Sequence, residues 1–520
     1  MESAELLKLI RLAHRGDPHA ELASLGEKIS AGDHSAPGLR RAAWLAAVCG
    51  DWEGAEAYLQ RAKLEPGDGG EACFAFGLLR LARDDHESAR AAFLAAAKAF
   101  YLLGEERTRK RAELRAYDPA LNRFAVFSIF YGLFESSFCC FLLASRVQPA
   151  EFQPYDFCVA RACAFMGHSA VTEALLEGDR KLNGETTWYH VNMGHYRWLN
   201  DDHDAADRHF RQARELAIRH RQTPYHFNCG TLVWLTYAES LSLLTEPEPT
   251  RQISTETWDL NFGESPPPQA ETVIVVGCDR RYFTFFPKFL LSVLRAHSVS
   301  GGATPTALHC HLADPEPDQI AFLKDIQHEL SLRERPIRLS FGLSQSPFRE
   351  ASYYTCLRFL TLPAVLNFYG CGALVMDIDS ELEPAFFERR EAIAKYDAGL
   401  RMYSFDPNTR RQVGAEPWSI GAHPTYVSAT PPGRKFAAFL GAYIRAAYDP
   451  SLVTNWTIDQ CAIARGYDLI FRPMAEQSVL NFAQFEAISR LPSGSKAEFL
   501  MEGGLTDLNN FRERAAAYLG

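Results

Sequence analysis

Downstream of residue 271, short β-branched runs alternate with stretches of helical spacing, and a chain with that alternation has few folds open to it. "TVIVVGCD" (272–279) is followed by "FTFFPKFLLSVLRAH", "TALHCHLAD" by "PDQIAFLKDIQHEL", and then "IRLSFG" begins. Strand and helix in turn predict a layered α/β domain with a mainly parallel sheet. In such sheets ligands sit outside the carboxyl ends of the strands. Asp279 closes the first of these runs. A later one, "GALVMDIDSELEP", runs straight into Asp377 and Asp379.

Two carboxylates at i and i+2 of an extended segment share a face, and they repel each other unless a cation lies near. Hard divalent ions such as Mg2+ and Mn2+ prefer carboxylate oxygens and commonly keep a substrate phosphate as a further ligand. An ion held there neutralises charge on a departing diphosphate. The plain alternative, a solvated strand end, accounts for most isolated Asp-x-Asp pairs. His309 and His311 also alternate onto one face, but with Cys310 between them in the second strand they predict packing, not a metal site.

The upstream half has a different period. "GDWEGAEAYLQRAKLEP" places Gly50, Ala55, Leu59 and Ala62 in a pattern closed by Pro66, and Ala89, Phe93 and Ala96 repeat it 34 positions later. Gly194, Ala206, Phe210 and Ala213 give a third match; Thr172 and Leu176 form a weaker unit. This spacing resembles the tetratricopeptide repeat (TPR), in which small residues let paired helices cross closely and Phe or Leu fills the gap. The resemblance implies an all-α TPR-like solenoid over residues 1–245 whose concave face takes a protein or peptide; any stack of helical hairpins is the plainer reading. The run "DDHD" (201–204) looks metal-like, yet it falls in the turn between paired helices and predicts solvated charge. Cys139 and Cys140 read as core.

At 520 residues the chain has room for roughly two to four domains. Residues 246–270, with Pro247, Pro249 and Pro266–Pro268, lack apolar periodicity and predict a linker or strap. The α/β domain then spans 271–510. A net charge of −10 argues against a nucleic-acid partner. The segment 124–145, inside an apolar insert at about 120–146, is long enough to suggest a membrane span, but Glu135 at its centre predicts a buried or groove-forming helix. "MESAELLKLIRLAHRGDPHAE" carries charge throughout, unlike a secretory leader. Twelve scattered cysteines with no CxxC pair predict reduced thiols in a cytoplasmic protein.

Four segments carry a second resemblance. "VVGCDRRYFTFFPKFLLSVLRAH", "ASYYTCLRFLTLPAVLNFYGCGALVMDIDSELEPAFFE", "WSIGAHPTYVSATPPGRKFAAFL" and "NWTIDQCAIA" are similar, in that order along the chain, to blocks of the GT-A glycosyltransferases, nearest family 8 and its relatives. The resemblance covers roughly residues 270–470 and implies a GT-A (Rossmann-like) fold. It implies that Asp377 and Asp379 hold Mn2+ or Mg2+, and that Asp377 meets the donor's diphosphate through that ion. It places Asp279 at the base or ribose, and Arg358 at the phosphate or against the aspartates. Asp459 and Gln460 fall beside the transferred sugar or acceptor as the catalytic candidates. Lys496, in "PSGSKAEF", falls where the family has a diphosphate-binding lysine; the family's late histidine ligand has no counterpart after His423.

The function implied is a metal-dependent hexosyltransferase that moves sugar from a nucleotide-diphosphate donor to a protein or glycan acceptor recruited by the TPR-like half. The alternative is a TPR interaction scaffold whose transferase domain is catalytically degenerate, a reading favoured by the missing histidine. A nucleotidyltransferase would carry a glycine-rich phosphate loop after the first strand, and "GCDRRYF" supplies none.

Overall fold

The computed structural model describes residues 17–63, 70–83, 184–223, 233–245, 269–332, 336–402, 420–474, 478–490 (without 484 and 486) and 508–519, with scattered positions in 85–95, 172–180, 225–231 and 259–261. The apolar segment 124–145, Ala89, Phe93, Ala96, most of 246–270 and Lys496 lie outside them. The chain divides into two compact units, with the main break in sequence between Leu232 and Val233.

The first unit is helical: α1 Pro18–Ser30, α2 Ala36–Cys49, α3 Trp52–Arg61, α4 Gly70–Ala82, α5 Thr187–Leu199 and α6 His203–His220, with a small pairing of β1 Tyr225–His226 and β2 Gly230–Thr231. Two of its junctions are built alike. After α2, Gly50 turns left-handed (φ 77°) and Asp51 caps α3 by accepting from the Gly54 amide at 2.9 Å. After α5, Asp201 turns left-handed (φ 57°) and Asp202 caps α6 by accepting from the Ala205 amide at 3.2 Å. The "DDHD" acids thus serve a helix start, where carboxylates satisfy otherwise orphaned amides. Ala55, Leu59, Ala206, Phe210 and Ala213 are buried. A β-carbon on Gly194 would lie 2.5 Å from the Phe210 ring, so α5 and α6 cross closely because one side offers no side chain and the other a large one.

The second unit is α/β. Its elements are α7 Tyr237–Ser242, β3 Asp259–Asn261, β4 Thr272–Asp279, a 3-10 turn at Tyr282–Phe285, α8 Phe286–Val299, β5 Thr306–Ala313, α9 Pro317–Ser331, β6 Ile337–Ser344, α10 Ala351–Tyr369 and β7 Gly372–Val375. They continue with β8 Glu381–Leu382, α11 Ala385–Ile393, β9 Ala398–Met402, β10 Ile420–Val427, α12 Pro431–Ala447, α13 Ile458–Gly466, β11 Val479–Asn481, β12 Ser489–Arg490 and α14 Leu508–Leu519. Val233 begins this unit: the Leu235 amide donates to Tyr443 Oη at 3.3 Å, and Arg465 lies over the Tyr237 ring.

The main sheet has the order β11-β9-β10-β7-β4-β5-β6-β3. Its centre, β7-β4-β5-β6, is parallel; β10 runs antiparallel to β7 and β9, and β3 closes the far edge antiparallel to β6. Every residue of β4 and β5 is buried, as parallel strands covered on both faces must be. His309 and His311 are packing residues, as expected: they bond the Ser340 and Ser344 hydroxyls on β6 at 2.8 and 2.9 Å. Among the described residues no helix is long and apolar enough to cross a membrane.

The order of strands fixes where a ligand can sit. From β4 the chain winds outward through β5 and β6, then returns to place β7 on β4's other side. The carboxyl ends of β4 and β7 thus mark the topological switch point, the usual ligand position in an open α/β sheet.

Candidate functional site

Asp279 and Asp377 end up at the same end of the sheet for a simple reason: β4 and β7 run parallel with Val275 opposite Val375, Asp377 follows two residues after that pair, and Asp279 closes β4 opposite Ala313 of β5. Asp279 is buried, and its Oδ1 accepts from the Tyr282 amide at 2.9 Å, so it caps the turn that launches α8. At the end of β5, Asp314 accepts from the Ser346 amide at 2.9 Å and from Tyr354 Oη at 3.1 Å. Burial and that bond to Asp314 raise the Tyr354 phenol above its ordinary value.

The strand β7 stops at Val375, one residue short of the pattern read from sequence. Met376 still donates to Val275 O at 2.9 Å, but Asp377–Ser380 is a turn, closed by Ser380 Oγ on Asp377 O at 2.6 Å. The extended-chain argument for a shared face therefore does not apply to Asp377 and Asp379. The two acids share a four-residue turn at the strand end instead.

Arg358 is the centre of the site. It lies in the interior of α10 and its side chain is 4% exposed, with Nη1 bonded to Asp377 Oδ1 and Nη2 3.4 Å from Asp459 Oδ2. Burial works against the guanidinium charge, yet the Asp377 and Asp459 carboxylates outweigh it and hold Arg358 above its ordinary value. Burial raises Asp459 above its ordinary value, with Arg358 pulling the other way. A charge this deep is tolerable only when paired, since removing an isolated ion from water is very costly. The sequence brings α10 close enough through Gly277: a β-carbon there would lie 2.8 Å from the Arg358 backbone nitrogen.

Asp459 reaches this cluster from the first turn of α13, after Thr457, which holds a left-handed conformation (φ 73°) unusual for a β-branched residue. Its neighbour Gln460 is committed elsewhere: the side-chain amide donates to Ile420 O at 2.6 Å and braces α13 against β10. The preceding Trp456 is 41% exposed.

His423 is the residue that sequence reasoning missed. It sits on β10 where the pairing with β9 shifts register between Gly421 and Tyr426, and bulges of this kind re-aim side chains. Its Nδ1 accepts from the Asp377 amide at 2.9 Å. Burial lowers its pKa to about 4, with Asp377 opposing and Arg358 reinforcing the shift. The only local signal was Pro424, which has no amide to give a central strand and so marks an irregularity there. Asp314 and Tyr354 gave no signal beyond their places at a strand end and at a helix start.

Of the residues singled out from sequence, the fold joins Arg358, Asp377 and Asp459, keeps Asp379 on the same turn as Asp377, sets Asp279 at the next strand's end, and turns the Gln460 amide to the backbone. Among the described residues no group of three or more His, Cys, Asp or Glu side chains could hold a metal ion. Asp377 is 31% exposed and its Oδ1 is bonded to Arg358, so with Asp379 it offers two carboxylates at most, fewer oxygens than a protein-only ion site supplies. They do not make a self-sufficient metal centre. No protein-family model matches the chain, and comparison with characterised proteins finds no match.

Proposed function

We propose that the α/β unit is a GT-A-like glycosyltransferase that takes its sugar from a nucleotide-diphosphate donor, and that the helical unit is a TPR-like array presenting a protein or glycan acceptor. The observation that carries this reading is the buried Arg358 between Asp377 and Asp459, at the switch point of the sheet. Such a cluster is costly to bury and does little for stability, and strongly perturbed groups in clefts concentrate at functional sites.

In this reading Asp279, at the end of β4, receives the base or ribose. Asp377 and Asp379 would hold Mg2+ or Mn2+, which supplies neutralising charge for the diphosphate when bound. Arg358 keeps the Asp377 carboxylate oriented and presents a planar, permanently charged donor to the donor substrate. Asp459, held by Arg358, faces the transferred sugar or the acceptor. The sugar C1–O bond breaks with its electron pair going to the diphosphate, the acceptor oxygen bonds to C1, and the acceptor proton leaves to a base or to solvent.

The test is thermal stabilisation and calorimetric binding with a panel of nucleotide-diphosphate sugars, with and without Mn2+. Binding that strengthens with Mn2+ and disappears in Asp377→Ala and Asp379→Ala supports the enzyme. A second reading, a TPR scaffold with a degenerate transferase domain, is favoured by the lack of a three-ligand group among the described residues and predicts no binding to any member of the panel.

A further inference from the structure

His423 carries more than a structural contact. Its Nδ1 accepts from the Asp377 amide, and only a bare ring nitrogen can accept, so the imidazole is neutral and its proton sits on Nε2. That Nε2–H is shielded from water and has no hydrogen-bond partner among the described residues. A buried donor left without an acceptor costs stability, and so calls for an explanation, of which a bound ligand is one. His423 is 8% exposed and lies within electrostatic range of Asp377, Asp379 and Arg358, which belong to the proposed site, and of Arg401.

Building on the proposed reading, we infer that His423 serves the site twice: Nδ1 positions the acidic turn by anchoring the Asp377 amide, and Nε2–H is a donor reserved for an acceptor oxygen of the bound nucleotide-diphosphate sugar. The chemistry fits because every other side chain of the cluster is charged. Asp377 and Asp459 accept and Arg358 donates with full charge, so a neutral donor adds recognition of oxygen without attracting a further anion. The acceptor is a sugar hydroxyl or a phosphate oxygen, and both are oxygen acceptors within one ligand. The shifted pairing of β10 supplies the geometry, since a regular strand has no reason to turn a histidine toward the end of its neighbour.

Two isosteres separate the two nitrogens. His423→Asn keeps an oxygen where Nδ1 sits, and so keeps the acceptor for Asp377, but loses the distal donor. His423→Gln keeps a distal N–H and loses the near acceptor. The full-length protein is titrated with UDP, GDP, ADP and CDP and with their glucose or mannose conjugates, with Mn2+ present, and melting temperatures are recorded alongside. His423→Asn is expected to melt near wild type and to bind its best conjugate about three- to ten-fold more weakly, the loss of one neutral hydrogen bond. If the acceptor oxygen belongs to the sugar, the free diphosphate keeps its affinity; if it belongs to the phosphate, both ligands lose equally. His423→Gln is expected to retain more of the affinity than His423→Ala and to melt lower than His423→Asn.

A second measurement uses wild-type protein carrying 15N-histidine: ligand addition moves the His423 Nε2–H resonance if the donor is engaged. Unchanged affinity in His423→Asn, or a resonance that ignores saturating ligand, overturns the inference while leaving the transferase reading standing. Wild-type protein that binds no member of the panel overturns both, and that result is read before any variant is made.

Discussion

Gly277 and the backbone nitrogen of Arg358 are so close that a β-carbon on the glycine would lie 2.8 Å from it, with Leu357 Cβ at 2.9 Å. The absence of one methyl group on β4 thus sets the height at which α10 lies on the sheet, and with it the reach of the guanidinium to Asp377 and Asp459.

Gly277→Ala is therefore expected to destabilise the α/β unit by about 1–3 kcal/mol, the usual cost of overpacking. The atom it meets is backbone and cannot swing aside. Nucleotide-sugar affinity should fall along with the urea midpoint. A variant with wild-type stability and binding would show that α10 yields freely.

Breaking the buried charge cluster from its cationic side should cost more than from its acidic side. Arg358→Met leaves Asp459 buried without a counter-ion and is expected to cost about 3–5 kcal/mol. Asp459→Asn leaves Arg358 its bond to Asp377, so the loss should be smaller. The double variant Arg358→Met, Asp459→Leu should recover part of the single-variant loss, measured as a double-mutant cycle in urea. Simple additivity would rule out direct coupling between the two.

Stability should also fall on acidification before carboxylates titrate. Burial lowers His309 to about 3 and His423 to about 4 in the folded chain, against an ordinary value of 6.5. Both shifts are downward, so their contributions are complete above pH 6.5 and are lost as pH falls toward 4. At pH 5 each costs about 2 kcal/mol. Asp459 has the opposite sign: its folded value is raised, so its contribution is present in acid and lost as pH rises through that value. Urea midpoints at pH 7, 6 and 5 should drop, and the drop should be shallower in His309→Leu. An identical pH slope in that variant would contradict the assignment.

In the helical unit, the crossing of α5 and α6 depends on one glycine and one ring. Gly194→Ala places a methyl group against Phe210 and is expected to cost about 1–3 kcal/mol. Phe210→Ala, which empties a buried position, should cost about 3–5 kcal/mol. Pairing Gly194→Ala with Phe210→Leu should restore part of the loss. Circular dichroism melts check all three, and a harmless Gly194→Ala would argue against close helix pairing.

Much of this architecture can be read along the chain. Alternation of apolar runs and helical spacing after residue 271 is enough to specify a layered α/β unit, because strand and helix periods are local properties of backbone geometry. The spacing of Gly194, Ala206, Phe210 and Ala213 likewise announces paired helices, since small and large residues must face each other at a close crossing. Asp279 and Asp377 are legible as candidate site residues by the same logic: a polar residue that ends a buried strand lies where an open sheet usually binds its ligands. What could not be read is partnership. Asp377 meets an arginine 19 residues before it, that arginine meets an acid 101 residues further on, and a histidine 46 residues downstream holds the Asp377 amide. Local spacing tells which face a side chain occupies, but the neighbour across a face is chosen by strand order, by a glycine that lets a helix settle, and by a slipped register on β10. These are decided only when the sheet closes on its helices.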